Sequence, residues 1–276
     1  MKKVITYTFL VIFLALVLWT AWANTALELN ICQIQLTGLP EDFEGFRIAH
    51  ISDLHNAELG DDNSRLLSLL EKAAPDMIVI TGDLVDCHHT DIELAAELMD
   101  RAVELAPCYY VTGNHEAALS DEEYLRLEAA LHGQGVVILH DEAVNIEKDG
   151  GSIRLIGLDD PEFDKSDANS RVEKINSLID GAAPAILLSH RPEYFEEYCE
   201  TGLELVFSGH AHGGQFRLPF IGGIYAPGQG LLPEFDAGLY SRGDTQMLLS
   251  RGIGNSLVPI RFNNRPELIV AVLNRK

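Results

Sequence analysis

The sequence predicts a layered α/β domain behind a membrane segment, and three observations carry the prediction. Six short apolar, β-prone runs each end abruptly in small and polar residues: FRIAHISDLH, MIVITGDLVD, CYYVTGNHE, IRLIGLDDP, AILLSHRPE and LELVFSGHAH. Runs this short and continuous fit strands buried on both faces. Helical patterns lie between them, which implies sheets covered by helices. An uncharged stretch from Val4 to Ala23 precedes them all and has the length of about 20 residues that spans a bilayer.

In chain order, the Val4–Ala23 run comes first. Ala21-Trp22-Ala23 has the form of a signal-peptide cleavage site, but the apolar core is longer than a signal peptide requires, so residues 1–24 are expected to be a retained anchor. Lys2 and Lys3 precede the run and Glu28, Glu41 and Asp42 follow it. The positive-inside rule therefore puts the N-terminus in the cytoplasm and residues 25–276 outside it, in a single-pass cell-membrane protein. Alternation over residues 27–36 reads as a strand. Leu66, Leu67, Leu69 and Leu70 mark a helix over residues 65–74. Ile92, Leu94, Ala95, Leu98, Met99, Ala102 and Leu105 form one stripe of a second helix. Ser120 through Glu123 make a capping box for a third, which Gly133 stops. From Gly213 the chain is rich in glycine and proline. The runs around Tyr240, Gln246–Ser250 and Leu268–Leu273 are expected to be antiparallel strands closing a second sheet. No low-complexity linker divides residues 25–276, which read as one domain.

Composition narrows the function. Of 276 residues 47% are apolar, as in an ordinary buried core, and the formal net charge is −22. Such a field repels polyanions, so long nucleic acids are not expected as partners, and no obligate protein partner is evident. Arg242, Arg251, Arg261, Arg265, Arg275 and Lys276 form a basic exception, read as mostly solvated with one or two able to face a phosphate. Cys32, Cys87, Cys108 and Cys199 are widely spaced and contain no C-x-x-C metal or redox clip.

Ligands of open α/β sheets bind beyond the carboxyl ends of the strands. Those ends deliver Asp53 and His55, then Asp83, then Asn114 and His115, then His190, then His210 and His212. Each alone could be a cap or a buried histidine. Together, carboxylate, imidazole and amide oxygen suit zinc, manganese or iron, and they are too many for one ion. A two-metal site with one bridging carboxylate uses them all and is suited to in-line displacement at phosphorus by a metal-bridging hydroxide.

The series D-x-H (Asp53, His55), G-D-x-x-D (Gly82 to Asp86), G-N-H-E (Gly113 to Glu116), His190 and G-H-x-H (Gly209 to His212) resembles the calcineurin-like metallophosphoesterase superfamily over roughly residues 46–215. SGHAHGGQ, SRGIGNS and Pro266-Glu267-Leu268 resemble its membrane-associated phosphodiesterase branch of YkuE-like and YaeI-like proteins. The resemblance implies a four-layer sandwich of two mixed β-sheets flanked by helices. It implies two divalent metal ions (Mn, Zn or Fe): Asp53, His55 and His212 on one, Asn114, His190 and His210 on the other, and Asp83 bridging. It makes His115 the catalytic general acid or cationic stabiliser. Asp86 and Glu116 are expected to orient histidines or cap helices rather than ligate.

Other chemistries find no support. HEAAL (115–119) has Leu119 where a zincin needs its second histidine, and there is no P-loop or G-x-S-x-G. His88, His89, His132 and His140 read as surface residues and His50 as structural. The expected substrate is a small or lipid phosphoester, favoured as a lipid or envelope phosphodiester by the tether. The alternatives are a UDP-2,3-diacylglucosamine pyrophosphohydrolase-like role in lipid A synthesis, which the branch resemblance brings with it, and a scaffold that keeps the fold without catalysis.

Overall fold

Apolar runs that cannot face water on either side must be covered on both, and two sheets stacked between helices achieve this. The computed structural model describes residues 1–165, 167–181, 183–256 and 258–276. Helix α1 (Lys2–Thr25) leads into β1 (Glu28–Leu36) and β2 (Arg47–Ile51), followed by α2 (Ser64–Ala73), β3 (Met77–Thr81), α3 (Ile92–Val103) and β4 (Cys108–Val111). Next come α4 (Asn114–Ala117), α5 (Asp121–Gly133), β5 (Val137–Ile138), β6 (Glu142–Lys148) and β7 (Gly151–Gly157). Then follow α6 (Pro161–Asp164), α7 (Ala168–Leu178), β8 (Ala185–Leu188), α8 (Phe195–Cys199) and β9 (Leu205–Ser208).

The glycine-rich part makes two small ribbons, β10 (Arg217–Leu218) with β11 (Gly222–Gly223) and β12 (Tyr225–Ala226) with β13 (Gly230–Leu231). Strands β14 (Gly238–Arg242), β15 (Thr245–Leu249) and β16 (Glu267–Arg275) complete the chain.

One six-stranded sheet has the order β1-β16-β2-β3-β4-β5 and the other β14-β15-β9-β8-β7-β6. Both are mixed: β16 runs antiparallel to β2, and β14 and β6 run antiparallel at the edges of the second sheet. Between the sheets lies an apolar layer that includes Phe43, Val79, Leu155, Leu188 and Phe207. The outer face of the first sheet is covered by α2, α3 and α5, and that of the second by α7 and α8, through Leu70, Leu98 and Leu131 on one side and Ile175 and Tyr198 on the other. This is the four-layer sandwich of two mixed sheets that the sequence led us to expect. Asp91 caps α3 through the Leu94 amide, and Ser120 and Glu123 form the reciprocal box at α5.

The tail departs from expectation. Strands β14 and β15 extend the second sheet as predicted, but β15 runs parallel to β9, and β16 crosses to the first sheet, between β1 and β2. The reason is that Leu268–Leu273 is apolar on both faces, as a central strand requires. An unbroken apolar run shows that a strand is central without showing which sheet it joins.

The side chains of α1 are exposed except near its end, where Ala23 is buried, and the helix is long and apolar enough to cross a membrane. Its end is fastened to the sandwich. The Asn24 amide donates to the Arg261 carbonyl at 2.7 Å and accepts from the Arg261 N–H at 2.7 Å. Arg65 reaches the Thr25 carbonyl at 2.8 Å and Arg265 the Ala26 carbonyl at 2.8 Å. All four cysteines are free thiols.

Candidate metal centre

Five strand ends, three from the first sheet (β2, β3, β4) and two from the second (β8, β9), converge on one crevice. After β2, β3 and β9 the chain turns back through left-handed backbone, with φ of 50° at Asp53, 45° at His55, 51° at Asp83, 66° at His210 and 47° at His212. Residues with a Cβ seldom adopt this conformation, at a cost of about 1–3 kcal/mol each, and do so only where the surroundings hold them.

Here the loops hold one another. The Asp53 N–H donates to the Gly82 carbonyl at 3.1 Å and the His55 N–H to the Asp83 carbonyl at 3.0 Å. The His115 N–H donates to Asp83 Oδ1 at 2.9 Å and the His210 N–H to Asp53 Oδ1 at 3.0 Å. Glu116 ties the β3 and β4 loops together, accepting from the amides of Asp83 (2.8 Å), Leu84 (2.8 Å) and Gly113 (2.7 Å). Burial, and then the charge of Asp83, push its carboxyl up to about 7 against those donors. Glycine is required at two crossings: a Cβ on Gly113 would overlap the Asp83 carboxylate, and one on Gly209 would overlap Ser52 Oγ and the Asp53 carboxylate.

Every predicted ligand is brought to the crevice. Ligand atoms of Asp53, His55, Asp83 and His212 lie within 4.8 Å of one another, as do those of Asp83, His190 and His210, so Asp83 belongs to both groups. Asp83 Oδ2 is 3.4 Å from His55 Nε2 and 3.2 Å from His190 Nε2. His212 Nε2 is 3.5 Å from Asp53 Oδ1, and Asn114 Oδ1 is 3.2 Å from His190 Nε2. The imidazole nitrogens also face each other, His55 Nε2 to His212 Nε2 at 3.3 Å and His210 Nδ1 to His190 Nε2 at 3.2 Å. Such spacings are those between neighbouring ligands on an ion bonded at about 2.0–2.1 Å.

The electrostatics agree. Burial drives His55 and His212 below the usual imidazole range, as it does His210 beside His190 and Arg191, which favours the neutral form that binds metal. Burial also opposes charge on His190 and on Asp83, but each overcomes it through the other: His190 is pushed to about 10 and Asp83 is held well below the carboxylate range. A buried carboxylate thus draws positive charge into the crevice, and the donor set fits divalent cations.

His115 lies beside the first group, its ring centroid 4.4 Å from that of His55. Its Nδ1 accepts from the Cys87 N–H at 3.1 Å, which leaves the ring proton on Nε2, 3.1 Å from Ser256 Oγ. Asp86 Oδ2 lies 3.7 Å from Nδ1 of both His55 and His115, beside the two rings but beyond hydrogen-bond distance. Glu116 has the tying role described above. His50 is buried, as expected, and heads a relay: its Nε2 contacts Thr81 Oγ1 at 2.7 Å, Thr81 donates to Ser52 Oγ at 2.9 Å, and Ser52 donates to Asp53 Oδ2 at 2.6 Å. The cleft in front of the centre, about 210 Å³, is lined on its far side by Tyr225, Pro227, Ser256 and Val258.

Two expectations are corrected. Arg261 is not solvated: it is fully buried and donates to the carbonyls of Arg251 and Gly254. His140 is not a free surface residue: it is half-buried and clamped between Asp159 (2.9 Å) and Glu128 (2.7 Å). Asp159 pushes it up to about 9 against its burial. Sequence reasoning also missed Arg191, whose Nη1 is 3.1 Å from His210 Nε2 while Asp160 (2.5 and 2.9 Å) and Glu162 (2.8 Å) hold the guanidinium. Its place directly after His190 and the Asp159-Asp160 pair ending a strand run were the available signals. Ser256 ends the SRGIGNS segment, whose resemblance assigns it no contact with His115.

Comparison with known proteins agrees with this geometry. Metallophosphoesterase YkuE of Bacillus subtilis is 30% identical over 244 residues, 85% of this chain and 81% of that protein. Phosphodiesterase YaeI of Escherichia coli is 26% identical over 231 residues, 83% of this chain and 82% of that one. Among solved structures, the sulfate thiohydrolase SoxB of Thermus thermophilus shares the fold at a TM-score of 0.53 and 13% identity, over 86% of this chain and 57% of that one. The sequence model of the calcineurin-like phosphoesterases matches residues 46–214, the segment that supplies every strand end of the crevice, and the chain belongs to that family.

Proposed function

We propose that the protein is a dinuclear metal-dependent phosphodiesterase that cleaves a P–O bond of a lipid or envelope phosphoester. In this reading residues 1–24 anchor the catalytic domain of residues 25–276, which faces away from the cytoplasm. The observation that carries it is the pair of ligand groups sharing Asp83 with His115 alongside. Asp53, His55 and His212 hold one cation, Asn114, His190 and His210 the other, and Asp83 both. Two divalent ions of the manganese, zinc or iron type supply Lewis acidity and a water of lowered pKa.

The chain's own residues do the rest. His115 points its Nε2–H towards the cleft and hydrogen-bonds the departing oxygen, stabilising the charge that builds there. Ser256 Oγ holds that nitrogen in place until a substrate oxygen replaces it. Arg191, fixed by two carboxylates, holds the His210 ring. Diester over monoester is supported by the name of YaeI, the membrane by α1, and the orientation by the positive-inside rule applied to Lys2 and Lys3.

The test is hydrolysis of bis(p-nitrophenyl) phosphate by the full chain in detergent, stripped of metal and then supplied with Mn²⁺, Zn²⁺ or Fe²⁺. Metal-dependent turnover exceeding that on p-nitrophenyl phosphate is expected. A folded chain that binds two ions per molecule and turns over only the monoester would overturn the diesterase assignment.

A further inference from the structure

We propose that the ribbon of residues 216–232, with Val258 and Ile260, rests on the surface of the bilayer crossed by α1, so that the cleft opens among lipid headgroups. The inference rests on the phosphoesterase reading and deepens it. The substrate is then a phosphoester whose acyl chains stay in the membrane.

The apolar face is the first observation. Phe220 is fully exposed, Leu231 is 77% exposed, Leu232 64% and Ile221 59%, all within one short segment. Soluble surfaces rarely gather such side chains without a partner. Two hairpins rather than a helix or broad sheet present them, so little of their apolar surface packs against the sandwich.

The second observation identifies what covers them. Val4–Ala23 spans about 30 Å as a helix, the thickness of the hydrocarbon core, which puts Asn24 at its boundary. Asn24 is bonded in both directions to Arg261. The neighbouring Phe262 is bridged to Phe216 and accepts from the Arg217 N–H at 2.9 Å. The Gln215 amide meanwhile donates to the carbonyls of Val258 (2.8 Å) and Ile260 (2.9 Å). The helix end and the start of the ribbon are therefore separated by one side-chain contact and one strand spacing, on the order of 10 Å, which keeps the ribbon near the headgroup layer.

The side chains at that level are those an interface favours. Trp19 and Trp22 lie in the last turns of α1, and the Arg265 guanidinium sits 5.1 Å from the centroid of the Trp22 ring. Arg65 reaches the last turn as well. Next to the ribbon, Asp236 is paired with Arg217 at 3.2 Å, and Arg242 stands between Glu196 and Glu234. In a chain of net charge −22, this face can meet phosphates.

The third observation links the face to the site. Tyr225 belongs to the ribbon and Val258 to the segment tied to Gln215, and both line the cleft opposite His210 and His212. The apolar wall of the cleft thus continues into the exposed ribbon. A phosphate can reach the metal ligands while its acyl chains follow that wall into the bilayer.

Two measurements test this on the full chain in phosphatidylglycerol–phosphatidylcholine vesicles. In a Trp19→Phe/Trp22→Phe background, the indole introduced by Phe220→Trp is expected to be quenched by lipids brominated near the headgroup. Emission unchanged from that in detergent, with the chain running as a dimer or not, overturns the docking. The double variant Phe220→Asp/Leu232→Asp is expected to lower hydrolysis of phosphatidylglycerol in the bilayer roughly tenfold or more while leaving bis(p-nitrophenyl) phosphate turnover unchanged. An equal fall on both esters would mean that the ribbon only shapes the site, and would also overturn the docking. Quenching by the brominated lipids without turnover of any phosphoester would leave the docking standing and remove the activity instead.

Discussion

In the loops that follow β2, β3 and β9, the candidate ligands are buried and five of them are held in left-handed backbone, whereas Phe220, Leu231 and Leu232 of the ribbon stand exposed. The first region is specified from every side, by Glu116 beneath it, by glycines at the crossings and by amides from neighbouring loops. The second is specified by little beyond its own hairpins and the contacts of Gln215 and Arg217. Chemistry at phosphorus tolerates displacement poorly, so its residues are over-determined. Choosing where a substrate comes from needs only a surface of the right kind.

The contrast can be broken most severely at Asp83. Asp83→Asn removes the one carboxylate common to both groups, and phosphoesterase activity is expected to fall on the order of 10³-fold with loss of bound metal, as read by elemental analysis of the folded chain. His115→Ala is expected to lower kcat about 10²–10³-fold with metal content unchanged, separating stabilisation of the departing oxygen from ligation. Gly209→Ala sharpens the comparison without replacing any candidate ligand. Its Cβ must displace Ser52 and Asp53, so a loss of roughly 1–3 kcal/mol in unfolding free energy and a weakened metal site should appear together. Ser52→Ala leaves Asp53 without its 2.6 Å donor, and metal affinity should drop about 10–100-fold with little change in melting temperature.

The smallest effect belongs to His140, remote from the metal ligands. Its pKa is raised in the folded chain to about 9, so the stabilisation it gives is complete below the unfolded value near 6.5 and is lost as pH rises through 9. Thermal unfolding measured from pH 6 to 10 should show that decline, and His140→Gln should flatten it.

The site was more legible than the parts around it. Strand ends advertise themselves: FSGHAH or VITGD is an apolar run broken by glycine and a ligand-type side chain, and the reason lies in local backbone geometry. The seven ligand positions and His115 could therefore be named before any contact was known, and the structure brings all of them to one crevice. Ser256 acts through a partner far away in the chain, His115 lying 141 residues from it, and nothing local marks such a pairing, while Arg261 is buried against Arg251 and Gly254 only because the loop between them folds back on itself. His140 fails for the same reason, since Glu128 and Asp159 flank it only in the fold. The sheet joined by β16 was hidden because a run buried on both faces reads the same in either sheet.

Strand β16 lies between β1 and β2, with Glu28 matched to Glu267 and Arg47 to Val272. The first strand after α1 thus waits for a partner synthesised after all the other strands, and until it arrives the first sheet has a gap beside β2. During synthesis the first sheet remains an open, unfinished layer, with Ile48 and Ile51 unshielded, until the polypeptide has been made through β16. Assembly of the candidate ligand loops and completion of the chain are in this way the same event, and a prematurely terminated chain leaves an unfolded substrate for quality-control proteases rather than a half-active hydrolase.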